Sequence, residues 1–442
     1  ALSLQFHSSL LFILISNQYR IMGRTVAHLF VNITSLHSHL LTYPNEARKS
    51  FLNMLDIKKI RLETPGCQSR IHFNNAGSSL NPKGVFVAVQ SYLNREQEIG
   101  SYEAAEEAKV LINSFYTKFS ELLNCNESEI AFIENSTRAW EMAVHSIGWK
   151  PGDEIITGEN EYGSNYLGLL HLAKQRSLKI FTIPNEESGT ISLGQLEESI
   201  TDKTRLIALT HVASQRGDVQ PASKVGEIAN KHNILYLLDA CQSVGQINLD
   251  TKSLKCDFLC GSGRKYLRGP RGTGFLYTKS TALKALEPVF LDLHSASWTN
   301  AGSYEFVRDA KMFECWERNM AAMIGLGTAV EYLLKLKVEI VERRVKQLSL
   351  NLKEELSELT DIKVLEKSNN YSGIVTFTKT SISATDLKDE LQKVGINISV
   401  IKQRNARLDL GKESTGDINR ASLHYYNTEQ EISEFIKELT KL

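Results

Sequence analysis

One acid and one lysine carry the strongest chemical signal in this sequence. The stretch from Ile234 to Tyr277, ILYLLDACQSVGQINLDTKSLKCDFLCGSGRKYLRGPRGTGFLY, opens with a short apolar run, Ile234 to Leu238, that ends abruptly in Asp239. The run is too brief for a helix of ordinary length and reads as a buried strand with an acid at its carboxyl end. A second apolar run, Phe258 to Cys260, leads into Gly261, Ser262, Gly263, Arg264 and Lys265. A loop from Arg268 to Gly274 and a strand-like Gly274 to Tyr277 follow. The acid and the lysine are thereby delivered to the same edge of a sheet.

A lysine held there is useful when it must be neutral, because an amine attacks a carbonyl only in its unprotonated form. Asp239 beside it suits the pyridine nitrogen of pyridoxal phosphate, where a carboxylate keeps the ring protonated and able to accept electrons. The competing reading is a surface lysine in a glycine-rich turn and a helix-capping aspartate, since lysines are mostly exposed. The pairing of Lys265 with Asp239 favours the first.

The elements that must position these groups are legible as an alternation. The chain has 442 residues, 51 acidic and 51 basic, so no basic field points to nucleic acid or an anionic membrane. Hydrophobic content of 42% and eight prolines describe a folded chain long enough for two packed domains. Six cysteines without CxxC spacing suit reduced thiols in a cytoplasmic protein better than a disulfide framework or a metal site. The apolar run from Leu10 to Ile15 is far shorter than the ~20 residues that cross a bilayer. Residues 1–53 are expected to be an appended or upstream-translated segment outside the chemistry, with a large domain over 54–320 and a smaller α+β domain over 321–442.

From Ile71 to Leu80, IHFNNAGSSL turns from apolar to small and polar, which places a tight turn near a ligand or an ordinary loop before a helix. Helical periodicity follows in Val85 to Leu93 and from Ala104 to Leu123, with Val110, Leu111, Phe115, Phe119 and Leu122 expected to face the core. Strand Ile130 to Ile133 runs into Asn135, Ser136 and Thr137, hydroxyl and amide residues that cap a helix and whose free backbone amides can bind an anion. Tyr162 stands in a turn before the next helix, where an aromatic can stack on a ring or simply pack. Strands at Glu154 to Thr157, Lys179 to Ile183 and Leu206 to Thr210 alternate with helices. This predicts a mostly parallel sheet covered on both faces, with ligands at the carboxyl ends of its strands. After Met320 come a long helix continuing through Leu356, strands Ile374 to Thr378, Ile396 to Ile401 and Arg420 to Tyr425, and a polar loop from Lys402 to Asn419. Arg420 can meet a carboxylate bidentately or lie on the surface.

HFNNAG, DACQSVGQ, SGRKYLRGPRGTGFLY and RASLHYYNT, in that order, make the chain from about Met54 to Leu442 resemble the class V aminotransferase family of fold type I pyridoxal phosphate enzymes. That family includes cysteine desulfurases and isopenicillin N epimerase. The resemblance implies that Lys265 binds the cofactor covalently and moves the substrate's α-proton, that Asp239 pairs with the pyridine nitrogen and Gln242 with the phenolic oxygen. It implies phosphate contacts from Ser136, Thr137, Ser262 and Arg264, stacking by Tyr162, and a substrate carboxylate held by Arg420 near Ala76 and Gly77. Ser214 stands where relatives have an asparagine near the ring, and Glu317 where many have a threonine that reaches the partner subunit's phosphate. A homodimer acting on a small-molecule amino-acid substrate is the family expectation, and no metal, nucleic acid or membrane partner is expected.

The reaction is less legible than the cofactor. Cysteine desulfurases carry a nucleophilic cysteine in the small-domain loop, and Lys402 to Asn419 contains none. A persulfide-forming desulfurase is therefore disfavoured at this level. The expectation is an amino-acid aminotransferase-type enzyme, with an ergothioneine-type C–S lyase or an epimerase as alternatives and a non-catalytic member as the competing class.

Overall fold

The short apolar runs become neighbouring strands of one seven-stranded sheet in a computed structural model, which describes residues 55–413 and 415–442. The order across the sheet is Ile130–Ile133, Gly274–Thr278, Phe258–Ser262, Leu235–Asp239, Thr204–Thr210, Glu154–Gly158, Lys179–Ile183. Gly274–Thr278 runs antiparallel to both neighbours, and the remaining pairs are parallel. This is the mostly parallel α/β sheet expected. The appended segment proposed for residues 1–53 lies outside the described residues.

Parallel strands covered on both faces must be apolar on both. Side chains alternate accordingly: Ile130 and Phe132 join the cluster containing Phe115, Phe119 and Phe275, while Ala131 and Ile133 join that of Trp140, Leu169 and Phe258 on the other face. The helices pack by stripes. Ile112, Phe115, Phe119 and Leu122 of Lys109–Leu123 are buried, but Val110 and Leu111 are 81% and 56% exposed, against expectation. They stand in the first turn of a separate helix, because the predicted run from Ala104 breaks into Ser101–Glu107 and Lys109–Leu123, and that turn projects past the buried stripe.

The second layer is a four-stranded antiparallel sheet in the order Ile362–Val364, Ile374–Lys379, Ile418–Ser422, Ser399–Ile401. Leu348, Leu352, Leu387, Leu391, Ile432 and Phe435 of its three covering helices meet Val375, Phe377 and Ala421 of the strands. The single long helix predicted after Met320 is two, Met320–Leu336 and Val338–Ser357, broken at Lys337 by a φ of 65°, a conformation a helix interior cannot hold. The predicted strand Ile396 to Ile401 also divides: Ile396–Asn397 pairs in parallel with Ile71–His72, and only Ser399–Ile401 joins the four-stranded sheet. The segment leading to Ala76 and Gly77 is thus carried by the second layer.

Arg268 ties these parts together. It is 1% exposed and donates to Leu80 O at 2.7 Å, the Tyr425 hydroxyl at 2.7 Å and Thr64 Oγ1 at 2.6 Å, with its guanidinium 4.6 Å from the Tyr426 ring centroid. Its backbone N–H donates to Lys265 O, so the same residue closes the lysine turn, in a left-handed conformation with φ 59°. A lysine has a single ammonium and cannot reproduce the fork. Arg268→Lys is predicted to lower stability by about 3 kcal/mol, read as a fall in the urea midpoint; an unchanged midpoint would show that the brace carries no energy.

Candidate active site

Asp239 ends its strand at the carboxyl edge of the sheet, opposite Cys260 of the neighbouring strand, and Lys265 follows Ser262, the last residue of that neighbour. The parallel pairing therefore brings the two together. Asp239 is 4% exposed; its Oδ1 accepts from Cys241 N and its Oδ2 from Asn165 Nδ2, each at 2.8 Å. Burial pushes the carboxyl above its ordinary range, while the Cys241 N–H, the Lys265 charge and Asn165 oppose that shift. A buried carboxylate in this position is stabilised by a cationic partner.

Asn165 also donates to Glu161 at 2.9 Å, and Glu161 accepts from Thr157, Thr210 and Tyr162 N. Burial raises this carboxyl as well. The Glu161–Asn165–Asp239 chain fixes the orientation of Asp239, and sequence reasoning misses it. Its only signal is the polar pair flanking Tyr162 at the start of helix Gly163–Arg176.

Two adjoining chambers open at this edge, of about 380 and 660 Å³. Tyr162, Ser214, Gln242, Arg264 and Lys265 line both. Ser136, Thr137, Asp239 and Ser262 line the smaller one, and Ala76, Gly77 and Arg420 the larger. The residues expected to bind cofactor or substrate thus line one or the other of two chambers that share five lining residues, whereas Glu317 lines neither.

At the far end of the smaller chamber lies the start of helix Ser136–His145. Asn135 caps it by accepting from Arg138 N at 3.0 Å, and Asn135, Ser136 and Thr137 line the chamber, where the first turn of a helix can bind an anion. Gly274 allows the close fit: a Cβ there would stand 2.6 Å from Gly261 O and 3.1 Å from the Asn135 backbone.

On the other side Gln242 donates to Ala76 O at 3.1 Å, and its Oε1 is buried with no partner. Arg420 is 5% exposed, donates to Ser214 O at 2.9 Å, and leaves Nε buried without a partner. Burial chiefly, with Arg264 nearby, pulls the Arg420 guanidinium down to about 10. Buried polar atoms left unpaired cost free energy that a ligand can recover. An amine, a buried carboxylate, an amide-rich helix start and orphaned Gln242 and Arg420 atoms fit pyridoxal phosphate joined to an amino-acid carboxylate. Among the described residues no cluster of His, Cys, Asp and Glu could hold a metal, and no helix is long and apolar enough to cross a membrane.

The polar loop after Lys402 packs against this site. Arg216, 3% exposed, pairs with Asp409 at 2.9 Å and Glu413 at 2.5 Å and donates to Leu365 O. Lys412 pairs with Glu159, and a Cβ at Gly163 would meet Asn405 O at 2.6 Å. None of these contacts is legible in the sequence, because each joins residues far apart in the chain.

Comparison with known proteins agrees with the fold and corrects the reaction. A probable cysteine desulfurase of Methanothermobacter thermautotrophicus is 27% identical over 379 residues, covering 84% of this chain and 94% of its own. The apo structure of a cysteine desulfurase from Thermococcus onnurineus NA1 superposes with a TM-score of 0.82 at 25% identity, covering 88% of this chain and 98% of that one. A C-DES mutant with glycine covalently linked to its PLP cofactor gives a TM-score of 0.79 at 23% identity, over 86% of this chain and 99% of that one, a likeness of fold. The expectation of an aminotransferase-type enzyme, with C–S lyase or epimerase as alternatives and desulfuration disfavoured, is overturned by the first two of these and by a further relative from Pyrococcus abyssi, all named cysteine desulfurases. Its physical basis was too narrow, since a missing loop cysteine removes one sulfur acceptor and leaves the bond-breaking groups intact. The family description that matches residues 71–435 is aminotransferase class-V, and the chain belongs to that family of fold type I pyridoxal phosphate enzymes.

Proposed function

We propose that this chain removes sulfur from a cysteine-type amino acid with pyridoxal phosphate as cofactor. The observation that carries the reading is Lys265 lining both chambers, with Asp239 in the smaller and the half-satisfied Arg420 in the larger, in a chain whose relatives are named cysteine desulfurases. Pyridoxal phosphate, when bound, supplies an electron sink that weakens bonds at the substrate α-carbon.

The chain's own groups do the rest. Ser136, Thr137 and Ser262 hold the phosphate, with Arg264 beside them. Asp239, oriented by Asn165, would hold the proton on the pyridine nitrogen, with Gln242 at the phenolic oxygen and Tyr162 against the ring. Arg420 receives the substrate α-carboxylate against the turn at Ala76 and Gly77, and Ser214 O holds its guanidinium in place. Lys265 Nζ binds the cofactor at rest and, once released by substrate, takes the proton from the α-carbon and returns one to the product. The Cβ–S bond breaks, Cβ gains a proton, and the sulfur passes to an acceptor thiol, so that cysteine and a thiol become alanine and a persulfide.

Free thiols at all six cysteines support a reducing, cytoplasmic setting. Apolar side chains exposed on successive helices, including Phe86, Tyr102 and Val110, support a homodimer, which sedimentation should detect as twice the chain mass.

With cysteine and dithiothreitol the purified holoprotein should release alanine and sulfide in equal amounts. Amino transfer to a keto acid without sulfide would contradict the reading. Lys265→Ala should lower the rate at least about a thousandfold, and Asp239→Asn about a hundredfold. Asp239→Asn should also lose cofactor on dialysis faster than the wild type. Equal cofactor retention and rate would remove Asp239 from the ring site.

A further inference from the structure

We propose that the larger chamber admits a small anionic thiol as the acceptor of the sulfur, drawn in by Arg404 and Arg407. The proposal rests on the desulfuration reading and names the second substrate of that same site.

The first argument concerns where a thiol can be. No cysteine occurs from Lys402 to Asn419, and none is among the described residues lining the 660 Å³ chamber. Cys241 lines the other chamber and is engaged with Ser262 Oγ at 3.1 Å. Cys260 is fully buried, accepts from Ser136 Oγ at 3.3 Å, and burial holds its thiol far above the ordinary range. The acceptor therefore comes from solution. The loop that would otherwise swing a residue inward is fastened by the buried Arg216–Asp409 pair and by Lys412–Glu159.

The second argument concerns charge and room. Arg404 and Arg407 line the chamber and are exposed, and neither forms an ion pair among the described residues. Lys402 is matched by Asp417 at 2.8 Å, and Arg404 adds to the positive field on that same acid. Glu161, the one acid of the lining, is 4% exposed and turned onto Thr210 and Asn165. Arg420 serves the amino-acid carboxylate and Arg264 stands by the phosphate, which leaves Arg404 and Arg407 to a second anion. A chamber of this size is in the range that encloses ligands well beyond cysteine. Guanidinium groups bind carboxylates bidentately, so an acceptor carrying two carboxylates matches the lining.

The step balances without a further reactant. The Cβ–S bond of cysteine breaks, an S–S bond forms to the incoming thiolate, and the thiol proton ends on Cβ. Cysteine and RSH give alanine and RSSH; Cβ is reduced as the transferred sulfur is oxidised to the sulfane level.

The test uses the holoprotein with cysteine and, in separate arms, mercaptosuccinate or 2-mercaptoethanol, following alanine and the acceptor persulfide. The apparent KM for mercaptosuccinate should be at least about tenfold lower than for 2-mercaptoethanol, and Arg404→Gln with Arg407→Gln should close that gap. Cys241→Ser should keep the gap. Alanine formed with equal KM for both thiols overturns the acceptor proposal and leaves desulfuration standing, as does a persulfide on Cys241 whose loss in Cys241→Ser stops transfer. Absence of alanine with every thiol overturns the desulfuration reading and the acceptor proposal with it.

Discussion

The parallel pairing of Leu235–Asp239 with Phe258–Ser262 is the constraint on which the site depends. Both strands are apolar through their length and change character only at the carboxyl edge, so a carboxylate and an amine emerge side by side from a dry interior. Desolvation raises the energy of the Asp239 charge, and among the described residues hydrogen bonding from Cys241 N and Asn165 and the positive charge of Lys265 relieve it. A site built this way has a polarity preference before any ligand enters. It favours a group that brings a proton to Asp239 and a carbonyl to Lys265.

Three buried arginines then join the second layer to that edge. Arg268 anchors the lysine turn to Thr64, Leu80 and Tyr425; Arg420 reaches from its own strand to Ser214 O; Arg216 reaches outward to Asp409 beyond Ser399–Ile401. Among the described residues only Arg216 of the three is matched by carboxylates. Arg268 is satisfied by neutral oxygens and tyrosine rings, which is structural, whereas Arg420 keeps an unpaired Nε, which suits a ligand. The same residue type thus does different work according to what its buried hydrogens meet.

Asp239, Lys265 and the helix start at Ser136 were legible because each marks an abrupt change from an apolar run to a polar residue, a local signal. Glu161, Asn165 and the Arg216–Asp409 pair were not, since long-range pairing leaves no periodicity to read. Val110 and Leu111 misled because apolar spacing says which residues share a helix face and not where the buried stripe ends. The break at Lys337 was hidden for a related reason: no glycine or proline announces its left-handed backbone. The reaction was the least legible part. The empty place of a cysteine in Lys402 to Asn419 argues against desulfuration only if the acceptor must be covalently part of that loop, and the named relatives overturn the inference.

The central claim is that one amine, at position 265, holds the cofactor opposite Asp239. It is tested most directly by reducing the pyridoxal phosphate-loaded protein with borohydride and locating the pyridoxyl group by peptide mass spectrometry. The account predicts the adduct on Lys265 alone; a pyridoxyl group on another lysine, with Lys265 unmodified, would contradict it.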